Sequence, residues 1–344
     1  MNALIASELK QRLRGKRWWI LLLIWMAILL LVTALIRAGA KHQAEFEQQF
    51  GGDFVEIGPT MFGTLALFVL GLMALVVPAL SSTAINSERE RGTLALLQST
   101  LYRPREIALA KFTSSFLTAL VYLAASVPLA LWSASEGGVG FARAVIVYVI
   151  LAGSAGLFVA LGLAASSLIR RTALSTLAAY VAVFTLTAGM PILFGLSLLG
   201  APQETIERTY PGGSFTETRT VIGWRWVLLA PDPFVVLADA APRQRSRFVS
   251  DPLDVLRQGV RSSRRESDPV VMVEKGTVIT EPGTEGEGVP LEAVRDPLAQ
   301  RDEPPPLWPT GLAIQAGLIG LCAYEVLRKL KVPARRLAPG ERVA

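Results

Sequence analysis

The sequence predicts an all-α polytopic membrane protein with six transmembrane helices. Three observations carry that prediction. Hydrophobic residues make up 51% of the 344 residues and charged residues only 18%, against about 25% charged in a soluble domain. The apolar residues are gathered into long runs rather than spread along the chain. The basic residues collect in the intervals on one side of the predicted layout. A single cysteine (Cys322) and a single histidine (His42) leave no disulfide within the chain and too few ligands for a zinc site. The same scarcity excludes Cys–His nucleophilic catalysis. The net charge of +6 sits beside membrane segments, so it argues for a bilayer surface rather than nucleic acid. Arginine far outnumbers lysine, which with the Ala, Leu and Val richness fits a GC-rich bacterial genome.

Residues 1–17 hold five basic residues, and Ile5, Leu9 and Leu13 recur every four positions. That spacing predicts an amphipathic helix lying on the membrane surface. Trp18–Ile36 is uncharged and long enough to cross a hydrocarbon core of about 30 Å. A cleaved signal peptide is the rival, because Ala38-Gly39-Ala40 resembles a cleavage site, but signal h-regions run only to about 15 residues. Residues 37–60 read as a polar loop. Met61–Leu80 is the second span and Phe112–Trp132 the third, with Pro128 inside it. Ala144–Ile169 is the fourth, rich in small residues that let helices approach closely. Arg170-Arg171 follow as a two-residue stop, and Leu174–Leu199, with Pro191 inside, is the fifth. Residues 200–306 are polar, and Leu307–Leu327 is the sixth span. A basic tail, 328–344, ends the chain.

With six spans, both termini face the same side. The N-terminus, the 81–111 loop, Arg170-Arg171 and the tail together hold 18 Lys and Arg, whereas the two short opposite loops hold Arg37, Lys41 and Arg143. The positive-inside rule therefore puts both termini in the cytoplasm and 200–306 outside. Within that outer region, Asp232-Pro233 is an N-cap followed by proline at the first helical position, so a short helix Pro233–Ala240 is expected to dip into the outer leaflet. A seventh span over Trp224–Ala241 is disfavoured by the Pro231-Asp232-Pro233 break and by Arg225 and Asp239. Asp251-Pro252 repeats the capping device, with Leu253, Leu256 and Val260 on one face of a second short helix. Val270–Thr280 reads as a hairpin, and 281–306 as a flexible linker.

Chemistry is nearly absent from the spans: only Glu325 falls inside one. Ion-coupled carriers need intramembrane carboxylates. No G-x-x-x-x-G-K-[ST] phosphate loop occurs either. An enzyme is not expected, and any transport would draw its energy from another polypeptide. The chain's most distinctive stretch is the charged island Asn86–Lys111, NSERERGTLALLQSTLYRPREIALAK. Asn86–Arg91 extends the second span, Gly92 permits a bend, and Thr93 can cap a helix whose Leu94, Leu97 and Leu101 share a face. Arg103-Pro104-Arg105-Glu106 then restarts a helix. A short rigid element across the ends of two spans is what a motor would grip; an ordinary loop with one amphipathic turn is the plainer reading.

The run Glu88-Arg89-Glu90-Arg91-Gly92-Thr93-Leu94, then Leu96-Leu97, Thr100, Arg103, Arg105-Glu106-Ile107 and Lys111, resembles the signature loop of ABC-2 type permeases, the membrane subunits of bacterial ABC exporters. The family pattern is close to E-R-E-x-G-T-L-E-x-L-L-x-T-P-x-S-R-x-E-I-x-x-x-K. The chain departs from it at Ala95, where an acid is usual, and at Leu101-Tyr102. The resemblance implies the type V exporter-like layout, with 81–111 as a coupling loop. Glu88, Arg89, Glu90, Arg91, Gly92, Thr93, Leu94, Leu97, Arg103 and Arg105 would contact a separate nucleotide-binding ATPase, and Arg170 and Arg171 would make a second, smaller contact. It also implies ATP–Mg on that partner and no cofactor here, a second permease copy or paralogue, and short outer helices capping the path. The uncharged spans suit a hydrophobic or amphipathic cargo. The competing readings are a non-transporting membrane anchor presenting 200–306 outside, and an intramembrane enzyme.

Overall fold

The computed structural model describes residues 16–49, 56–90, 104–210, 213–220, 223–242, 253, 256–257, 259–261 and 306–330. Six helices among them are long and apolar enough to cross a membrane. The first, α1 (Lys16–Gln49), runs well past the expected span. Its extra turns replace the predicted start of a polar loop because they find partners. Arg37 pairs with Glu136 and lies 5.7 Å from the centre of the Trp132 ring, and Ala40 packs with Ile57 and Met61. Alanine at 38, 40 and 44 favours the helix meanwhile.

Helix α2 (Gly58–Ser82) contains Pro78 and is followed by a turn and the one-turn helix α3 (Asn86–Glu90). Helix α4 (Pro104–Ser135) begins at the proline that suits a first turn and carries Pro128 through without interruption. Helix α5 (Phe141–Leu168) is the most buried partner of α2. The fifth span is composite: α6 (Thr172–Phe184), a π-helical turn Thr185–Gly189, and α7 (Met190–Leu199). Pro191 has no N–H to give the preceding turn, and the wider π turn lies just before it. Helix α8 is Pro233–Ala240, and α9 (Trp308–Leu330) is the last span.

Helices α2 and α5 form the centre, with α4 and α9 laid against α5. The core is made by Phe62, Leu65, Leu70 and Met73 of α2 with Ile150, Leu151 and Phe158 of α5. Small residues set the separation: a Cβ at Gly162 would lie 1.9 Å from Ser81 Oγ, so α5 and α2 approach here more closely than any side chain would allow. Helices α1 and α6–α7 leave large apolar side chains exposed, such as Leu23, Leu31, Leu177 and Phe184, as hydrocarbon-facing surfaces do.

Among the described residues, the chain departs from the all-helical pattern in one place, beyond the fifth span. Strands β1 (Gln203–Tyr210) and β2 (Gly213–Thr220) pair antiparallel, Gln203 opposite Thr220 and Tyr210 opposite Gly213. The hairpin expected at Val270–Thr280 lies outside the described residues. Pro211-Gly212 between two threonine-rich octamers was the local signal for the observed one. Also outside the described residues are 1–15 of the expected surface helix 1–17, 91–103 of the island, 281–305 of the linker 281–306 and 331–344 of the basic tail.

Candidate functional site

The described part of the island is a knot of hydrogen bonds at one end of the bundle. Its origin is the break between α2 and α3. The amides of Ile85 and Asn86 turn away from the α2 ladder and both donate to Ser166 Oγ on α5, each at 3.2 Å. Buried backbone donors need a partner, and a serine on the neighbouring helix supplies it. Asn86, fully buried, donates from Nδ2 to the Ile169 carbonyl at 2.8 Å. Arg89 donates to Asn86 Oδ1 at 3.1 Å, to Ser166 O at 3.2 Å and to Ser167 O at 3.4 Å.

The Ser166 and Ser167 carbonyls are among the last of α5, which have no intrahelical donor. A guanidinium placed on them satisfies lone pairs and meets the negative end of the helix dipole. Arg89 is therefore a cap for another helix. Ser82 continues the seam: its carbonyl accepts from Ser175 Oγ at 2.8 Å, and its hydroxyl lies 3.0 Å from Thr176 Oγ1. Thr172 donates to Glu90. The start of α6 is thus sewn to the end of α2 and to α3.

The third span joins through Lys111 of α4, which pairs with Glu88. Lys111 is buried to 5% exposure, and a buried ammonium persists only beside a carboxylate or equivalent acceptors. One short helix therefore touches α4, α5 and α6 at once. Side chains on and around α3 that a sequence can only mark as charged divide by direction. Glu88 and Arg89 turn inward, whereas Glu90, Arg105, Arg170 and Arg171 are exposed. Arg91, Gly92, Thr93, Leu94, Leu97 and Arg103 lie outside the described residues.

At the opposite end, α8 is a buried plug. Asp232 caps it, accepting from the Phe234 amide at 2.8 Å. Burial raises the Asp232 carboxyl to about 7. Arg257 covers the far end, donating to Ala238 O at 2.9 Å and Ala241 O at 2.8 Å. Asp239 accepts from the amides of Leu307 at 2.6 Å and Trp308 at 3.2 Å and pairs with Arg261 at 3.4 Å. Its charge thus sits on the positive end of α9. Gly311 makes the contact possible, since a Cβ there would stand 2.3 Å from Val236. Of the short helix expected after Asp251-Pro252, Leu253 and Val260 are buried but Leu256 is 40% exposed.

The family model described as an ABC-2 family transporter protein matches residues 2–231. The chain belongs to that family. The match covers the first five spans and the whole knot, and it ends one residue before Asp232, so the plug and α9 are described by this structure alone. No curated protein matches the chain. Membership makes this ABC-2 protein a permease subunit of an ABC transporter, partnered in general by an ABC ATPase subunit. The island and its charges stand out in the sequence; Ser166 stands out there only as a small packing residue, and Ser175 and Arg257 do not stand out at all. Serine in a span is ordinary, and only the α2–α3 break shows why Ser166 is needed.

Proposed function

We propose that this ABC-2 permease exports a hydrophobic or amphipathic substrate across the bacterial cytoplasmic membrane, driven by ATP hydrolysis on a separate subunit, with both of its termini in the cytoplasm. The observation that supports this reading is the knot. Force applied to α3 would reach the third span through Glu88–Lys111, the fourth through Arg89 and Asn86, and the fifth through Glu90 and the Ser82 contacts. A motor docked there would move several spans together. Exposed Glu90, Arg105, Arg170 and Arg171 would face the ATPase, and inward Glu88 and Arg89 would transmit.

Two permease copies would enclose the path, with α8 closing its outer mouth. The plug weighs against a mere anchor: seven of its eight residues are buried, so this part of the outer region is built into the bundle. The test is co-expression with an ABC ATPase subunit, comparing the parent with an Arg105→Glu, Arg170→Glu, Arg171→Glu variant. The variant should insert normally yet lose co-purification and transport. Retention of both in the variant would refute the docking surface. A reporter fused after residue 270 should lie outside the cell, and labelling from the cytoplasm would overturn the orientation.

A further inference from the structure

A long groove lies between α4 and α5, at the end of the bundle away from the knot. Its volume is about 500 Å³, and its walls run over Leu123–Ala134 of α4 and Val139–Ala152 of α5 and the turn before it. Alanines at 130, 134, 144 and 152 carve the trough between larger neighbours, and Phe62 and Tyr148 form part of its lining. Tyr148 is the one lining side chain with a polar atom, and its hydroxyl lies 3.0 Å from Ser126 Oγ. Ser126 Oγ donates to the Leu123 carbonyl at 2.6 Å, so the Tyr148 O–H is committed to Ser126 Oγ, and the described lining offers no other polar side-chain atom.

We infer that this groove is a binding site for a single phospholipid acyl chain from the adjacent leaflet. Three observations select that occupant. The lining helices are membrane spans, so hydrocarbon surrounds the opening. Each helical wall covers eleven residue steps, about 16 Å at 1.5 Å per residue, which is close to half of a hydrocarbon core of about 30 Å. The lining begins at the 136–140 turn, where both spans end, and its last members are Leu123 and Ala152, about half a span along each helix. One turn beyond Ala152, Gly156 of α5 brings Phe116 of α4 and Ile319 of α9 close to the helix, each 3.6 Å from a Cβ built at the glycine, which closes the cleft between the helices. A membrane-crossing helix of a second copy would have to pass that closure and is about 10 Å wide. Between apolar protein and apolar lipid the gain comes from packing on three sides rather than from leaving water. Recognition is therefore of the chain and indifferent to the headgroup.

The test reconstitutes the full-length protein in nanodiscs of phosphatidylcholine bearing a diazirine in one acyl chain, with photolysis and peptide mapping. Adducts should concentrate on Leu123–Ala134 and Phe141–Ala152, about fivefold above the exposed α6 face at Leu174, Leu177 and Val181, which corresponds to roughly 1 kcal/mol. Ala144→Trp should bring groove labelling down to the α6 level without changing the α6 labelling. Ala134→Leu, a smaller filler, should lower it partway, so the result does not depend on tryptophan being accepted. Uniform labelling, or groove labelling unchanged in both variants, would overturn the site. So would a severalfold change on replacing phosphatidylcholine with phosphatidylglycerol. Efficient disulfide linking of two copies through Ala144→Cys would assign the groove to a protein partner instead.

Discussion

The Glu88–Lys111 pair offers the sharpest test of how the island holds the bundle together. Its side chains are 18% and 7% exposed, so water screens the pair only slightly. Removing one partner from a buried pair costs about 3–5 kcal/mol, because the other charge is left in a poor solvent. Glu88 keeps some contact with water, which sets the expectation for Glu88→Gln or Lys111→Gln near the lower end, about 3 kcal/mol. In thermal unfolding of the detergent-solubilised protein that is a drop of about 6–12 °C, taking 2–4 °C per kcal/mol. Glu88→Lys alone should be worse, placing two cations together. The exchange Glu88→Lys with Lys111→Glu restores opposite charges and should recover more than half of the loss. If both Gln variants melt with the parent, or the exchange is no better than the sum of its singles, the pair does not fasten α3 to α4.

Other expectations follow from single contacts. Arg89→Ala strips the last α5 carbonyls of their donors and should cost about 1–3 kcal/mol; Arg89→Lys, with charge but no fork, should fall between, and thermal melting separates the three proteins. Gly162→Ala forces a methyl to within 1.9 Å of Ser81 Oγ. It should destabilise by more than about 2 kcal/mol through overpacking, with Ser81→Gly relieving most of it. Asp232 is raised to about 7, so the folded state holds its proton more tightly than the unfolded chain. Its stabilising contribution is full below about pH 4 and is lost as pH rises through about 7, a change of about 4 kcal/mol. Asp232→Asn keeps the capping oxygen and removes the titration, so melting curves at pH 5 and pH 8 should differ less for the variant than for the parent.

The six spans and the helix Pro233–Ala240 were legible because length, apolarity and capping are local properties. Trp18–Ile36 must be helical in hydrocarbon whatever surrounds it, and Asp232-Pro233 starts a helix wherever it lies. The island was legible as a charged interruption carrying a recognisable motif. Its directions were not. Whether Arg89 faces outward or lies on the carbonyls of Ser166 and Ser167 depends on where α5 ends in space, and that follows from how closely Gly162 lets α5 approach Ser81. The same holds for Asp239, which reads as a polar residue ill suited to a span until α9 begins beside it. The chain by itself determined how many helices cross and where the charges fall, since those depend on the hydrophobicity and sequence of each segment. Tertiary structure alone decided which charges join helices and which remain free to meet a partner, because hydrogen bonds act over about 3 Å and sequence distance says nothing about that length.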